Sequence, residues 1–168
     1  MASIQKQIPS TSIDRYISGR YALNIPSDTS GDWHFTTVWF ANKPTIIDLW
    51  GVGQKVDTTK LFGHFGIANR TTDIDKTGLQ HDKSPIYAAN HLRAILDMAI
   101  DGSTRNNMCL VKGATIDYLD TQEQKDLIIN MIDKIILSNK LTSAQKECLR
   151  NWVTTERQNI YRGELYEV

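Results

Sequence analysis

Residues 84–102 constrain the fold most strongly, because they carry a complete set of helix signals. Ser84 can cap the first turn, Pro85 has its φ preset for the first helical position, and Gly102 can adopt the left-handed conformation that ends a helix. Apolar residues recur at helical spacing between these ends: Ile86, Ala89, Leu92, Ile95, Leu96, Ala99 and Ile100. We therefore expect a central helix with one face on a core.

The opposite side of this predicted helix carries polar residues. Asn90, Arg93, Asp97 and Asp101 recur at steps of three and four, with His91 at their flank. One interpretation is a solvent-exposed face with a weak Arg93–Asp97 pair. The other is a recognition ridge of Asn90, His91, Arg93 and Asp97, because amide, imidazole and guanidinium donors suit the carboxylates or phosphates of a partner.

The N-terminal half contains strand-like patterns. Residues 15–25 alternate apolar and polar side chains, which predicts a half-buried strand. Residues 33–40 are apolar on both faces and indicate a central strand, and residues 45–50 are its predicted hairpin partner. Residues 51–83 lack a clear pattern apart from a short strand-like run at 61–67, and a connection of that length is usually functional or mobile.

Two capping-box patterns mark the C-terminal part. Thr121 precedes Gln124 by three residues, and Thr142 precedes Gln145 in the same way; an amphipathic stretch follows each pair. Two such helices in succession predict an αα-hairpin. Because strands come first and helices later, we predict an α+β fold, in which an antiparallel sheet from the N-terminal half is packed by the central helix and followed by the C-terminal hairpin.

The predicted boundaries divide the chain into three parts. Residues 1–14 are polar and are expected to form a flexible tail. Residues 15–112 form the predicted α+β core, and residues 113–168 the helical hairpin of the same domain.

Charge and cysteine content argue against several classes of protein. The 168 residues contain 19 Lys and Arg and 19 Asp and Glu. The chain therefore has no excess of basic side chains that would bind along a nucleic-acid backbone. The two cysteines, Cys109 and Cys148, lie in no C-x-x-C motif, which indicates reduced thiols and a cytoplasmic location. Because no long apolar run is present, we expect neither a signal peptide nor a membrane span.

Residues 73–78, D-I-D-K-T-G, are the stretch most similar to a known catalytic or cation-binding motif. Haloacid-dehalogenase-type phosphatases place the attacking Asp after an apolar strand, whereas polar residues precede Asp73. A calcium loop needs a Glu where Ser84 stands, so a solvated turn is favoured. The histidines also lack metal-site spacing: His34, His64, His81 and His91. We predict no catalytic residue, metal or cofactor.

Three segments resemble one family: R-Y-I-S-G-R-Y-A-L-N-I-P at 15–26, S-G-D-W-H at 30–34, and Y-A-A-N-H-L-R-A-I-L-D at 87–97. They are similar to a group of small bacterial proteins encoded on mobile elements, often beside nucleotidyltransferase-type toxins of the abortive-infection class. The resemblance implies the antitoxin or immunity half of such a pair, acting by binding a protein partner. It adds the turn of Asp32, Trp33 and His34 as a second candidate binding element.

We therefore expect a cytoplasmic binding protein that neutralises a partner, such as a toxin or a subunit of a defence complex. Two alternatives stay open. One is a phage or mobile-element inhibitor of a host defence complex. The other is a small enzyme that acts on a phosphorylated substrate through Asp32, His34, His91 and Arg93, because these side chains together could perform acid–base chemistry. The sequence does not determine the oligomeric state.

Overall fold

The computed structural model describes residues 3–26 and 34–164, and within these ranges it contains eight helices and three two-stranded antiparallel sheets. In chain order the elements are β1 (Ile4–Gln5), β2 (Arg15–Tyr16), α1 (Gly19–Leu23), α2 (Phe35–Trp39), β3 (Phe40–Ala41), β4 (Trp50–Gly51), α3 (Thr59–Phe62), β5 (Ile67–Asn69), α4 (Thr71–Thr77), β6 (Tyr87–Ala89), α5 (His91–Thr104), α6 (Ala114–Asp117), α7 (Gln122–Leu137) and α8 (Ser143–Glu164). The predicted α+β class is confirmed.

The chain forms two compact units, Met1–Ala94 and Ile95–Val168. The sequence-based division into tail, core and hairpin, with boundaries after residues 14 and 112, stays a prediction. β1, which lies inside the predicted tail, already pairs with β3, with Ile4 opposite Ala41. Among the described residues, no helix is both long enough and apolar enough to cross a membrane.

The strands of the first unit are much shorter than predicted. β2 pairs with β4, with Tyr16 opposite Trp50, and β5 pairs with β6. Helix α1 takes up much of the predicted strand at 15–25, and helix α2 much of the predicted strand at 33–40. The prediction of long strands at these two positions is therefore wrong. The reason is tertiary: the indole N–H of Trp39 donates to the carbonyl of Asn24 at 3.2 Å, which fixes the two short helices together inside the core.

The central helix begins later than predicted. Residues 87–89 are strand β6 and not the first turn of a helix, because β6 pairs with β5 and also exchanges backbone hydrogen bonds with Ile17. The helix α5 starts at His91, and the side chain of Asn90 caps it by accepting from the backbone N–H of Arg93 at 2.9 Å. Ser84 and Pro85 therefore do not begin the helix.

The segment between β4 and β6 is built from short elements. It contains α3, β5 and α4, of which only part of β5 corresponds to the predicted strand at 61–67. The D-I-D-K-T-G motif lies mostly on α4, with Ile74 fully buried and Asp73 bonded to Arg70 at 3.0 Å. A helical backbone at this position does not wrap around a cation as a calcium loop does.

The second unit follows the sequence prediction closely. α7 and α8 pack together, and both predicted capping boxes are present. The hydroxyl of Thr121 accepts from the backbone of Gln124 at 3.2 Å, and Thr142 accepts from Gln145 at 3.2 Å. The apolar side chains between the helices are buried, with Ile128, Ile132 and Leu149 fully enclosed. The predicted αα-hairpin is confirmed.

Candidate functional site

Arg93, on the first turn of α5, is completely buried although it carries a charge. Its Nη1 atom donates to the carbonyl oxygens of Gly63 at 2.8 Å and Phe65 at 2.9 Å. Its Nη2 atom donates to the hydroxyl groups of Tyr16 at 2.8 Å and Thr58 at 3.1 Å. All four Nη hydrogens therefore have protein acceptors, which offsets the cost of removing the guanidinium from water.

Two aromatic rings also contact the Arg93 guanidinium. Its Cζ atom lies 5.3 Å from the centre of the Tyr16 ring and 5.6 Å from that of Phe62. A planar guanidinium stacks on aromatic rings and donates in several directions at once, whereas a lysine ammonium does not reproduce this geometry. Arg93 thus joins β2, α3 and the loop at residues 63–66.

The loop at residues 63–66 packs directly on the start of α5. The backbone N–H of Asn90 donates to the carbonyl of Gly66 at 2.7 Å. A Cβ atom on Gly66 would lie 2.6 Å from Asn90 Oδ1 and 2.7 Å from Arg93 Cβ, and Gly66 has a φ of +71°. Only glycine fits this position without displacing the helix start or the loop.

This loop carries one half of an exposed hydrogen-bonded pair, and exposed apolar side chains occur on the segments that meet there. His64 Nε2 lies 2.8 Å from Asp14 Oδ1, and the Asp14 carbonyl accepts from the backbone N–H of Val52 at 2.8 Å. Ile13 and Phe65, which adjoin Asp14 and His64 in the chain, are 38% and 37% exposed, and Val52 is 50% exposed. We call these five residues the Asp14–His64 patch. Three separate segments of the chain thus meet on one part of the surface of the first unit.

The predicted recognition ridge is mostly buried. Arg93 and Asp97 have no exposed surface and His91 is 8% exposed, so the interpretation of this side of the helix as a solvent-exposed face is wrong. Asn90 is exposed, but its side-chain oxygen is used as the cap of α5. The physical reason is that α5 is enclosed nearly all round, so its polar face lies inside the protein and not in water.

The predicted binding turn is only partly described. Asp32 and Trp33 lie outside the described residues. His34 is exposed, and its backbone N–H donates to Asn24 Oδ1 at 2.9 Å. The small-enzyme hypothesis places Arg93 in a site with Asp32, His34 and His91, whereas the Nη hydrogens of Arg93 are bonded to protein acceptors.

A second histidine–carboxylate pair lies at the end of α4, with a largely buried His81 side chain and an exposed Asp75. His81 Nε2 is 2.8 Å from Asp75 Oδ1. The hydrogen bond to Asp75 raises the pKa of His81 above its ordinary value, and it outweighs partial burial, which lowers that pKa. Among the described residues, no group of three or more His, Cys, Asp or Glu side chains could hold a metal ion.

Sequence reasoning missed all five residues of the Asp14–His64 patch. Asp14 and His64 are separated by 50 positions, and neither belongs to a motif that carries chemistry. The weak pattern of residues 51–83 was the one available signal, because loops held by a rigid scaffold often carry function. No family model, no curated protein and no solved structure matches this chain.

Proposed function

We propose that this chain binds and neutralises a partner protein in the cytoplasm, in the manner of an antitoxin or immunity protein, and that the Asp14–His64 patch is the contact surface. The observation that carries the proposal is the patch itself. Three apolar side chains, Ile13, Val52 and Phe65, are exposed on the chain segments that the hydrogen-bonded Asp14–His64 pair and the Val52 backbone bring together. Grouped exposed apolar side chains are typical of interaction surfaces, whereas single ones are ordinary.

The chemistry of the patch suits a protein surface. Val52 and Phe65 offer apolar area that a partner would remove from water, at roughly 25 cal/mol for each Å². The Asp14 and His64 side chains are 56% and 50% exposed, so a partner can still reach their oxygen and nitrogen atoms. An apolar contact beside a polar pair gives affinity and orientation together.

The support beneath the patch favours tight binding. Arg93 bonds to the carbonyl groups of Gly63 and Phe65, on both sides of His64, and to the hydroxyl of Tyr16, two residues after Asp14. A surface that is already ordered loses less conformational entropy on association. Tyr16 and Arg93 both lie within segments that resemble the antitoxin-like group, so in this proposal those segments build the support and not the contact surface.

Co-expression with the product of the neighbouring gene tests the proposal. We expect the two proteins to purify as one complex and the chain to relieve any toxicity of its neighbour. Val52→Asp should weaken the complex at least about tenfold, since a charge would enter the apolar contact. Ile46→Asp is the matched control, because Ile46 is 60% exposed in the same unit and lies outside the patch.

Two outcomes would contradict the proposal. One is an unchanged toxicity of the neighbour together with the absence of a complex on size exclusion. The other is a folded Val52→Asp protein that binds as well as the wild type, which would remove the patch as the contact surface. Capture of a host defence complex in place of a neighbour would favour the inhibitor alternative.

A further inference from the structure

The second unit contains an open groove of about 960 Å³. One wall is the segment at residues 103–112, and the other is α8 with the residue before it, between positions 142 and 155. A helix rises about 1.5 Å for each residue, so this second wall is about 20 Å long. The groove is therefore long enough for about six residues of an extended chain, at about 3.3 Å each.

Two hydrogen bonds connect the walls and relate positions on one wall to positions on the other. Gln145 Nε2 donates to Thr104 Oγ1 at 2.9 Å, and Trp152 Nε1 donates to the carbonyl of Val111 at 3.1 Å. Residue numbers thus increase in the same direction along both walls. The helical rise between the two bonds is about 10 Å.

Both ends of the segment wall are fixed by hydrogen bonds of their own. At the far end, Glu156 has no exposed surface, and its two carboxylate oxygens accept from the backbone N–H groups of Gly113 at 2.7 Å and Thr115 at 3.3 Å. At the near end, the backbone N–H of Asn107 donates to the carbonyl of Gly102 at 2.8 Å. A groove with ordered walls loses less conformational entropy when a ligand enters it.

Two charged side chains of opposite sign line the groove, one on each wall. Glu147 lies on α8, and Lys112 directly follows Val111, whose carbonyl is bonded to Trp152. Both charged side chains are exposed, and neither forms an ion pair within the described part of the chain. The helical rise from Glu147 to Trp152 places the two charged positions about 7–8 Å apart along the groove.

Side-chain amides lie on both walls as well. Asn106, on the segment, and Asn151, on α8, line the groove and are exposed. An amide side chain carries a donor and an acceptor, and so it matches a peptide group. The peptide groups of a helix are already bonded to one another, whereas those of an extended chain need external partners. The lining therefore favours an extended chain over a helix as the ligand.

We propose that this groove binds an extended segment of a partner protein that carries one basic and one acidic side chain two positions apart. Side chains two positions apart in an extended chain lie on the same face, about 7 Å from each other. The basic side chain pairs with Glu147 and the acidic one with Lys112, while Asn106 and Asn151 bond to the backbone of the segment. This surface belongs to the second unit and does not depend on the function proposed above.

Capped heptapeptides test the proposal in titrations of the full chain. The probes are Ala-Ala-Lys-Ala-Glu-Ala-Ala and Ala-Ala-Glu-Ala-Lys-Ala-Ala, which present the two charges in the two possible chain directions. We expect one of them to bind at least about tenfold more tightly than matched peptides with two Lys or with two Glu. Each matched peptide places a like charge against Lys112 or Glu147, which opposes binding.

Exchange of the charges on the protein should switch this preference. Lys112→Glu should bind the peptide with two Lys at least about tenfold more tightly than the mixed peptide, and Glu147→Lys should do the same for the peptide with two Glu. Lys134→Glu and Glu123→Lys are the matched controls, because both residues are exposed on α7 and do not line the groove. We expect both controls to keep the wild-type preference.

Thermal unfolding of the four variants shows which of them are folded, and a change of preference cannot arise from a loss of stability alone. The proposal is overturned by a wild-type chain that binds none of the peptides, or by one that binds the mixed and the like-charged peptides equally. It is also overturned by folded Lys112→Glu and Glu147→Lys proteins that keep the wild-type preference.

Discussion

In the first unit buried cationic side chains hold short segments together, whereas in the second unit two long amphipathic helices pack along an apolar core. Arg93, Arg70 and Lys6 are all at least nine-tenths buried in the first unit. Arg70 donates to the carbonyl of Ala89 at 3.2 Å, and Lys6 donates to that of Val38 at 2.6 Å. Strands of two or three residues supply few ladder bonds, and these side chains satisfy carbonyl groups of strand β6, helix α2 and the loop at 63–66.

The difference shows that the two units are stabilised in different ways. In the second unit the main contribution comes from burial of residues such as Ile128 and Leu149, and it depends on a regular pattern. In the first unit much depends on single side chains that each satisfy several buried acceptors. Removal of one such side chain should therefore lower the free energy of unfolding more than removal of one helix-capping side chain in the second unit.

The largest expected effect is that of Arg93→Met. This change leaves the carbonyl groups of Gly63 and Phe65 without their donor, and we expect a loss of about 3–5 kcal/mol in the free energy of unfolding. Urea unfolding of the full chain measures it. Arg15→Met is the control, since Arg15 is exposed and should change the free energy by less than about 0.5 kcal/mol. If the free energy of unfolding of Arg93→Met lay within about 1 kcal/mol of the wild-type value, the first unit would not depend on single buried side chains as we expect.

A smaller effect is expected for Thr121→Ala in the second unit. The variant loses the hydroxyl that accepts from the backbone of Gln124, and the expected cost is about 1 kcal/mol. The same urea experiment measures it, with Thr154→Ala as the control because Thr154 is exposed inside α8 and caps nothing. A loss of stability equal to that of Arg93→Met would show that one helix cap in the second unit contributes as much as the buried hydrogen bonds of Arg93 in the first unit.

The smallest expected effect is the pH dependence that the His81–Asp75 pair contributes. The pair raises the pKa of His81 in the folded state above its ordinary value of 6.5. Its stabilisation is therefore fully present below pH 6.5 and is lost as the pH rises through the raised pKa of His81. We expect the pair to contribute less than about 1 kcal/mol to the free energy of unfolding, because Asp75 is largely exposed to solvent.

Comparison of the wild type with Asp75→Asn across this pH range isolates that contribution. The stability difference between the two proteins should be largest in the acidic part of the range and should shrink as the pH rises. A difference that grows towards alkaline pH would reverse the sign of the linkage and contradict the assignment of the pair.

The parts of the fold that could be predicted are those with local causes. Thr121 and Gln124 lie within one helical turn of each other, so their capping box and the helix after it are visible in the sequence. The error at residues 84–90 also has a local cause: Ser84 and Pro85 imitate a helix start, whereas Asn90 is the true cap. The helix starts after Asn90 because residues 87–89 pair with β5 as strand β6. No pattern in the sequence indicates that pairing.

The candidate site was beyond sequence reasoning for the same reason. Arg93 was singled out as polar, but its role was assigned to recognition because helical periodicity places it opposite the apolar stripe. Its acceptors come from Tyr16, 77 positions away, and from the loop around Gly63 and Phe65, about 30 positions away. A sequence pattern gives the side of a helix on which a residue lies and does not say whether that side faces water.

By itself, the sequence determined the α+β class, the two capped helices of the hairpin and the existence of a central helix, because propensity, capping and periodicity act over a few residues. Only the tertiary structure decided that Arg93 lies inside the protein, that Asp14 and His64 meet on its surface, and that Lys112 and Glu147 line one groove. These placements depend on contacts between residues distant in the chain, whose free energy is gained only when the whole unit folds.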